Sequence, residues 1–357
     1  MKADFTKKLM KWNENSNTRA MPWKGEKDPY KIWLSEIILQ QTRVEQGLAY
    51  YERFVKAFPT VRQLAKAPQE KVFKLWEGLG YYTRCKNLIA TAQFISREKK
   101  GIFPNDYESI LSLKGIGPYT AAAIASFAFN LPHAVLDGNV FRVLSRYFGV
   151  GTATDIPAGK KLFTLLAGEL LDTNQPGLYN QAIMDFGAVI CKPKQPLCKQ
   201  CPQKNDCQAL KHNMVKNLPV KEKQLKRKNR WLYYFIVHIK DGVLIRKRTT
   251  KDIWENLYEF VLYESDKLLA PGKNAFAPVL KELFGNQAMQ VKNISPVFRQ
   301  QLTHQTIAGQ FVELETDALP VTMGKYELVK NAAIKKYPFP KFITAWLQQE
   351  SKPMQLF

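Results

Sequence analysis

The stretch LKGIGPYTAAAIASFAF (residues 113–129) decides the fold of the first part of this chain. It follows a short apolar segment, YESIL, and contains Gly115 and Gly117, whose missing side chains let the backbone turn tightly. Pro118 suits the first position of a new helix. A helix–tight loop–helix unit of this kind leaves free backbone N–H groups at a helix N-terminus, where anions bind. Taken alone, the motif favours an ordinary helix–helix turn, so the anion interpretation depends on the rest of the chain.

The charge of the chain supports the anion interpretation. Lys plus Arg number 53 and Asp plus Glu 31, a formal net charge of +22, which points to a polyanionic partner such as nucleic acid or an anionic membrane surface. No apolar run is long enough to span a bilayer. The N-terminus, MKADFTKKLMKW, lacks the apolar stretch of a signal peptide, so we expect an intracellular protein with reduced thiols.

The segment CKPKQPLCKQCPQKNDC (191–207) holds four of the five cysteines, and their spacing predicts a metal or cluster site. The ligands would be Cys191, Cys198, Cys201 and Cys207. Structural zinc usually takes two tight pairs, and this segment has one Cys-x2-Cys. Four cysteines also hold 4Fe–4S clusters, although the spacing matches neither common ferredoxin pattern. The spacing alone therefore leaves zinc and iron–sulfur open. Lys194 and Lys199 lie between the cysteines and either bind phosphates or only solvate the loop.

Two carboxylates lie in largely apolar segments of the sequence. Glu36, in KIWLSEIILQQTRVEQ, is flanked on a helical face by Ile32 and Leu39; burial there would raise its pKa and make it a general acid. The segment alone favours an exposed glutamate or one paired with Arg43. Asp137, in AVLDGNVFRVLSRYF, precedes an amphipathic helix and is either a simple N-cap, worth about 1 kcal/mol, or an ionised carboxylate facing a cleft. One protonated and one ionised carboxyl group form the pair that cleaves glycosidic bonds.

The pattern along the chain changes near residue 215 from mostly helical to mixed. KEKQLKRKNR (221–230) is strongly basic and predicts a linker over about 216–230. WLYYFIVHIK and VLIRKR flank Asp241-Gly242, which predicts a β-hairpin. Phe276–Phe284 and FPKFITAWLQQ predict helices, and VFRQQLTHQTIAGQFVELE predicts a strand pair. We therefore expect an α-helical domain at 1–215 and a smaller α+β domain at 231–357.

Several segments together resemble the endonuclease III superfamily of DNA glycosylases and, within it, the MutY family of adenine DNA glycosylases. They are DPYKIWLSEIILQQTRVEQ, EGLGYYTRCKNL, LKGIGPYTAAAI, VLDGNVFRVLSRYFG and NQAIMDFGAVICKPKQPLCKQCPQKNDC, and the match covers most of residues 5–215. The resemblance implies a six-helix barrel over about 29–135 with a helix–hairpin–helix at 108–129. It also implies a cluster module formed by the N-terminal helix and about 136–215, with one 4Fe–4S cluster on the four cysteines.

The resemblance also implies roles. The family removes adenine mispaired with 8-oxoguanine, or with G, from double-stranded DNA. Glu36 falls on the acid that protonates the flipped adenine, and Asp137, with Asn139 nearby, on the carboxylate that stabilises the oxocarbenium-like sugar. Tyr119 stands where bifunctional members carry a Schiff-base lysine, so we expect no efficient lyase step. Further matches surround the adenine (Met21, Trp23, Lys24, Gln181), enter the duplex (Gln41, Thr42, Leu79, Tyr81) and contact the DNA backbone (Gly115, Gly117, Lys194, Lys199). Arginine often stands where this chain has Lys24.

The C-terminal part is similar to the MutT-like (Nudix-fold) domain of that family. VLIRKRTTKDIWENLYEF resembles its opening, and the acidic REx2EE helix of Nudix hydrolases is absent from the sequence, so nucleotide hydrolysis is not expected. Leu302, Thr303 and His304 align with the Phe-Ser-His loop that inspects 8-oxoguanine, with departures at the first two positions.

Three other functions compete with a monofunctional adenine glycosylase. A bifunctional lyase acting on oxidised pyrimidines is disfavoured by Tyr119 and by the C-terminal domain. A DNA-binding or redox-sensing cluster protein without catalysis would not need Glu36. A Nudix hydrolase is disfavoured by the missing acidic motif. We expect a monomer in the bacterial cytoplasm, bound to DNA and to no membrane.

Overall fold

The chain forms two compact units in a computed structural model that describes residues 2–21, 23–42, 44–222, 227–269 and 272–350. The first unit comprises residues 1–66 and 87–223, and the second comprises 67–86 and 224–357. The segment 67–86 therefore joins the second unit, which nothing in the sequence pattern indicates. The domain boundaries at 215 and 230 stay a prediction, and residues 223–226 of the predicted linker, like Arg43, lie outside the described residues.

Helices dominate the chain up to residue 222. Their bounds are α1 (Lys2–Ser16), α2 (Pro29–Leu39), α3 (Val44–Ala57), α4 (Val61–Lys66), α5 (Gln69–Trp76), α6 (Tyr82–Glu98), α7 (Tyr107–Leu111), α8 (Pro118–Phe129), α9 (Gly138–Phe148), α10 (Pro157–Leu170), α11 (Pro176–Val189) and α12 (Gln208–Lys211). Four of them begin at a proline, which loses no hydrogen bond at that position. Asp28 caps α2 as predicted by accepting from Tyr30 N at 2.9 Å.

Burial of α2 and α8 fixes the centre of the first unit. Eight of the eleven residues of α2, from Tyr30 to Ile38, are buried, and the helix packs against α8. The run Ala121–Ala125 of α8 is also buried, and its mostly small side chains let the two backbones approach closely. This pair holds Glu36 on α2 and Tyr119 on α8 near each other.

A second core joins the N-terminal helix to the later helices of the first unit. Phe5 and Leu9 of α1 are fully buried with Phe163 of α10 and Phe186 of α11. Burial of each such side chain contributes about 1.5–3 kcal/mol. Val143 and Leu144 of α9 lie in the same core, and Cys191, Cys201 and Cys207 pack against it. The cysteine loop is thus anchored on the helix that follows Asp137.

The second unit is built on a mixed sheet. Its elements beyond residue 227 are β1 (Lys228–Ile239), β2 (Gly242–Lys247), β3 (Tyr258–Glu259), β4 (Val261–Ser265), α13 (Ala277–Phe284), β5 (Gln290–Ile294), β6 (Phe298–Gln301), β7 (Gln305–Glu315), β8 (Glu327–Lys330) and α14 (Lys341–Glu350). The strand order is β3-β2-β1-β7-β5, while β4 pairs with β1, β6 with β7 and β8 with β2. β1 and β7 run parallel over eleven residue pairs, and the other pairs are antiparallel.

The observed elements confirm the hairpin, the strand pair and both helices predicted for this part of the chain. β1 and β2 meet with Ile239 opposite Gly242, as the Asp241-Gly242 pair predicted. β1 begins at Lys228, inside the predicted linker. Gly309 on β7 is required by close approach, because a Cβ there would lie 1.7 Å from the Leu232 carbonyl oxygen on β1. No helix in the described part of the chain is long and apolar enough to span a bilayer.

Candidate active site

Glu36 lies in the wall of a cavity of about 320 Å³ in the first unit. Only 7% of its surface is exposed. Residues from α2, α8, α11 and the turn before α2 line the cavity: Trp23, Lys24, Gly25, Glu26, Lys27, Ile32, Ser35, Glu36, Phe127, Gly177, Leu178 and Gln181. Four of these are predicted site residues, and the other eight carry no motif that marks them.

Burial controls the protonation of Glu36. The pKa of its carboxyl is raised to about 7: loss of solvent raises it most, a hydrogen bond from the Tyr119 hydroxyl lowers it, and the nearby Asp137 carboxylate raises it. Burial, together with Glu36 and Asp137, holds the pKa of Tyr119 well above its usual value, so its hydroxyl stays a donor. Glu36 can thus carry a proton near neutral pH, as a general acid requires.

Asp137 is the N-cap of α9, as predicted. Its Oδ1 accepts from Asn139 N and Val140 N, both at 2.8 Å, and its Oδ2 accepts from Asn139 Nδ2 at 2.7 Å. Burial raises the pKa of this carboxyl, and the three hydrogen bonds together with Arg142 act against that increase. The sequence predicted the cap and the ionised carboxylate but not the opposing effect of burial.

Two buried arginines connect α9 to the cysteine loop. They lie in the segment VLDGNVFRVLSRYFG, but the sequence prediction gave them no role. Arg142 donates to Asn139 Oδ1 at 2.9 Å and to the Cys191 carbonyl at 2.7 Å. Arg146 donates to the Cys191 sulfur at 3.5 Å and to the Lys192 carbonyl at 2.8 Å. The partner of Asp137 and the first predicted cluster ligand are therefore held by one side chain, Arg142.

The four predicted ligands surround one apolar cavity. Cys191, Cys198, Cys201 and Cys207 line it with side chains that include Ile190, Leu197, Leu210 and Val215, and none of the four is in a disulfide. Burial raises the pKa of the Cys191, Cys201 and Cys207 thiols. Among the residues that the structure describes, no three His, Cys, Asp or Glu side chains are arranged as metal ligands. Four thiols facing one apolar space are nevertheless the donor set that a cluster requires.

The predicted base pocket is only partly what the sequence indicated. Trp23, Lys24 and Gln181 line the cavity with Glu36, whereas Met21 is not among the lining residues. Gln181 Nε2 donates at 2.9 Å to Asp185, a fully buried carboxylate that the sequence prediction missed. The available signal was an acid in the otherwise apolar segment AIMDFGAV, four residues after Gln181.

The predicted DNA-backbone residues lie at the hairpin and on the cysteine loop. Gly115 has φ +80°, and a Cβ there would lie 2.7 Å from Asn87 Cβ, so this position requires glycine. Gly117 is the N-cap of α8 with φ −100°, and open space surrounds its Cα. Lys194 and Lys199 are exposed.

The predicted duplex-entering residues occupy strained turns. Gln41 follows α2 with φ +57°, and the Thr42 N–H donates to the Leu39 carbonyl at 3.1 Å. In the second unit, Leu79 is buried, while Tyr81 has φ +48° and is 43% exposed. Non-glycine residues with positive φ are uncommon and often mark functional turns.

The second unit also holds Leu302, Thr303 and His304, in the turn between β6 and β7. The Leu302 N–H donates to the Gln305 carbonyl at 2.7 Å, and the His304 carbonyl accepts from Lys228 N at 2.9 Å. The Thr303 hydroxyl hydrogen-bonds the Tyr81 hydroxyl. The structure therefore brings Tyr81 and Thr303 together, although they are 222 positions apart in the chain.

Comparisons with known proteins address the same two parts of the chain. The model of the HhH-GPD superfamily of base excision DNA repair proteins matches residues 34–166, and that of the NUDIX domain matches residues 232–349. A thermostable thymine-DNA glycosylase has a similar structure, with 28% identity and a TM-score of 0.55 over 59% of this chain and 97% of its own. An endonuclease III in a non-covalent DNA complex is 18% identical with a TM-score of 0.50, which supports the fold alone. It covers 60% of this chain and 98% of that one.

A curated relative decides the family. The adenine DNA glycosylase of Buchnera aphidicola subsp. Baizongia pistaciae (strain Bp) is 34% identical over 310 residues, which are 85% of this chain and 84% of the relative. This chain belongs to the adenine DNA glycosylase family. The human adenine DNA glycosylase is 38% identical over 214 residues, 57% of this chain and 39% of its own.

The family confirms the predicted function class and fold class. This member of the family is a DNA-binding hydrolase of base excision repair that releases adenine by cleaving an N-glycosidic bond. Its fold is a helix–hairpin–helix glycosylase domain followed by a Nudix-like domain with a mixed sheet. The catalytic residues, the opposing base and the cluster go beyond the family assignment.

Proposed function

We propose that the enzyme removes adenine paired with 8-oxoguanine or G, with Glu36 as the general acid. The observation that carries this proposal is the environment of Glu36, a buried carboxyl with a pKa of about 7 in the wall of a base-sized cavity. A catalytic acid is most effective when its pKa lies near the working pH. Trp23, Lys24 and Gln181 would hold the base, which must leave the duplex at a cost of a few kcal/mol.

The reaction follows from the two carboxyl groups. Glu36 gives its proton to a ring nitrogen of the flipped adenine, and the N-glycosidic bond breaks with its electron pair going to the base. The positive charge that develops on the sugar is stabilised by the Asp137 carboxylate, which α9 and Asn139 orient. Water adds to the sugar, loses a proton and leaves an abasic site. Tyr119 offers no amine, so no Schiff base forms and the enzyme is monofunctional.

The cysteine cavity supports one 4Fe–4S cluster on Cys191, Cys198, Cys201 and Cys207. A bound cluster would cross-link this loop and contribute to folding, as structural metal sites do. The loop's own Lys194 and Lys199 would then lie ready for DNA phosphates, together with backbone N–H groups near Gly115 and Gly117.

The second unit would read the base opposite adenine. Thr303 and His304 would face 8-oxoguanine, and the Thr303–Tyr81 hydrogen bond supports this because it joins the predicted reading loop to a predicted duplex-entering residue. Leu302 and Leu79 of this unit would fill the distorted duplex around that base. Gln41 and Thr42 of the first unit would also enter the duplex. We propose that the enzyme acts as a monomer in the bacterial cytoplasm.

Single-turnover release of adenine from 8-oxoguanine:A and G:A duplexes tests the function. Wild type should act on both and prefer 8-oxoguanine:A. Glu36→Gln should abolish release while DNA binding is retained, and Asp137→Asn should reduce release strongly because the cap geometry stays while the charge is lost. Full activity of Glu36→Gln would overturn the acid assignment, and a borohydride-trapped DNA adduct would show a lyase.

The opposing base has its own test. Thr303→Ala should reduce the preference for 8-oxoguanine:A over G:A, and Tyr81→Phe, which removes the same hydrogen bond from the other side, is the matched control for that contact. An unchanged preference in Thr303→Ala would remove the reading loop from the proposal.

A further inference from the structure

The chain keeps one fully buried carboxylate next to the base pocket that the reaction does not use. Asp185 lies on α11 with 0% of its surface exposed. Its Oδ1 accepts from Arg19 Nη1 at 2.8 Å and from Gln181 Nε2 at 2.9 Å. Its Oδ2 accepts from Asn17 Nδ2 at 2.9 Å and from Lys24 Nζ at 3.1 Å. All four donors point at one side chain.

Two of these donors belong to residues that line the cavity. Gln181 and Lys24 are cavity residues, whereas Arg19 and Asn17 are not among its lining side chains. Asp185 itself does not reach the cavity. Its influence on a bound base must therefore pass through Gln181 and Lys24.

A carboxylate can only accept hydrogen bonds, so it dictates which end of a neighbouring amide faces it. With its NH2 group turned to Asp185, Gln181 has its carbonyl oxygen Oε1 left for a base in the cavity. A carbonyl oxygen accepts from the 6-amino group of adenine and repels the 6-oxo group of hypoxanthine or guanine. The opposite amide orientation would favour the 6-oxo purines.

We propose that Asp185 is a positioning residue that sets the amide orientation of Gln181 and thereby makes the pocket select 6-amino over 6-oxo purines. This inference rests on the proposed assignment of the cavity as the adenine pocket. Lys24, held by the other carboxylate oxygen, is kept from turning its ammonium freely into the same space. Asp185 thus acts on selectivity without touching the substrate.

The test compares release of adenine and hypoxanthine, each opposite G, under single-turnover conditions. Asp185→Asn replaces the carboxylate by an amide that can donate to Gln181 and so allows the amide to turn over. We expect adenine release to fall about 10- to 100-fold and the hypoxanthine-to-adenine ratio to rise about tenfold or more. An equal loss for both bases would overturn the proposal, because a merely structural residue would leave the ratio unchanged.

The double variant Asp185→Asn/Gln181→Glu exchanges the carboxylate and the amide. The carboxylate introduced at position 181 offers an acceptor to the base in every orientation, while the amide introduced at position 185 donates to that carboxylate. Adenine preference should therefore return to within about tenfold of wild type. Arg19→Gln is the matched control, since it removes one hydrogen bond from Asp185 outside the cavity and should leave the ratio unchanged. A double variant that keeps the altered ratio would count against the proposal.

A further experiment uses the wild-type enzyme and needs no substitution. Unsubstituted purine lacks any group at C6, so, after correction for spontaneous depurination, it should be released faster than hypoxanthine, whose 6-oxo group faces Gln181 Oε1. Faster release of hypoxanthine would overturn the proposal even if Asp185→Asn fails to fold. Failure of wild type to release adenine at all would instead reject the proposed pocket, so the two outcomes remain distinct.

Discussion

At the scale of residues, the proposed reaction depends on the protonation of Glu36. Burial raises the pKa of its carboxyl, and among the residues that the structure describes the Tyr119 hydroxyl favours the ionised form. A general acid must be protonated before the reaction, and Glu36 is protonated below a pKa of about 7. The proposed reaction also requires Asp137 to be ionised, and burial raises the pKa of this carboxyl too. The proposed reaction should therefore be fastest at pH values between the pKa of Asp137 and the pKa of Glu36.

We expect a bell-shaped dependence of the single-turnover rate on pH. The rate should fall above pH 7 as Glu36 loses its proton and, well above it, decrease about tenfold for each pH unit. It should also fall at acid pH as Asp137 is protonated. The measurement is adenine release from pH 5 to 9 with enzyme in excess at saturation. A rate that stays constant up to pH 9 would mean that Glu36 is not the proton donor.

The same burial should make Glu36 costly for stability. Raising the pKa of this carboxyl from 4.5 to about 7 destabilises the folded state by about 3 kcal/mol once the group is ionised. The unfolded chain ionises first as pH rises, so this loss develops between about pH 4.5 and 7. The Glu36→Gln variant has no ionisable group at this position. Its free energy of unfolding should therefore rise by about 3 kcal/mol relative to that of wild type over that pH range.

Urea unfolding of both proteins at several pH values measures this difference. Glu98→Gln, the same substitution at an exposed glutamate on α6, is the matched control. A constant difference between Glu36→Gln and wild type at all pH values would contradict the raised pKa.

At the scale of elements, two glycines of one hairpin have different tasks. Gly115 combines φ +80° with the 2.7 Å approach to Asn87, so Gly115→Ala should lower the free energy of unfolding by more than about 2 kcal/mol. Gly117 has a backbone conformation open to any residue, and open space surrounds its Cα. Gly117→Ala should therefore change the free energy of unfolding by less than about 1 kcal/mol. Gly117→Ala should still weaken DNA binding, because in the proposed DNA contact its methyl group would lie in the space that a phosphate approaches.

Thermal unfolding and DNA titration of both variants separate the two effects. Equal destabilisation by both substitutions would show that the positive φ and the Asn87 contact do not matter. Wild-type DNA affinity of a folded Gly117→Ala variant would remove this hairpin from the DNA surface.

At the scale of the whole molecule, the net charge should govern how DNA binding depends on salt. A net charge of +22 should make DNA binding depend steeply on salt, with a loss of about 10³- to 10⁵-fold in affinity from 50 to 200 mM if six to ten phosphates are contacted. Replacing Lys194 and Lys199 together by alanine should reduce the slope of log affinity against log salt by about 2. Replacing the exposed pair Lys160 and Lys161 on α10 is the matched control. Equal slopes for both double variants would reject the cysteine loop as a phosphate contact.

The sequence by itself determined the order and type of the elements, since these follow from short-range signals. Proline at helix starts, Asp28 and Asp137 at caps and Asp241-Gly242 at a hairpin act within a few residues and are visible in one dimension. Together with the family resemblance, the sequence also predicted roles for Glu36, Asp137 and the four cysteines, and these roles stay predictions. Their spacing alone left the metal open, and the segment around Glu36 alone favoured an exposed side chain.

Only the tertiary structure decided which side chains meet across long stretches of chain. The burial that raises the pKa of Glu36 comes from packing of α2 against α8, and the Tyr81–Thr303 hydrogen bond joins residues 222 positions apart. The convergence of Arg19, Lys24 and Gln181 on Asp185 likewise depends on how the N-terminal segment folds against α11. Desolvation and hydrogen-bond geometry depend on neighbours in space, which periodicity and spacing do not specify.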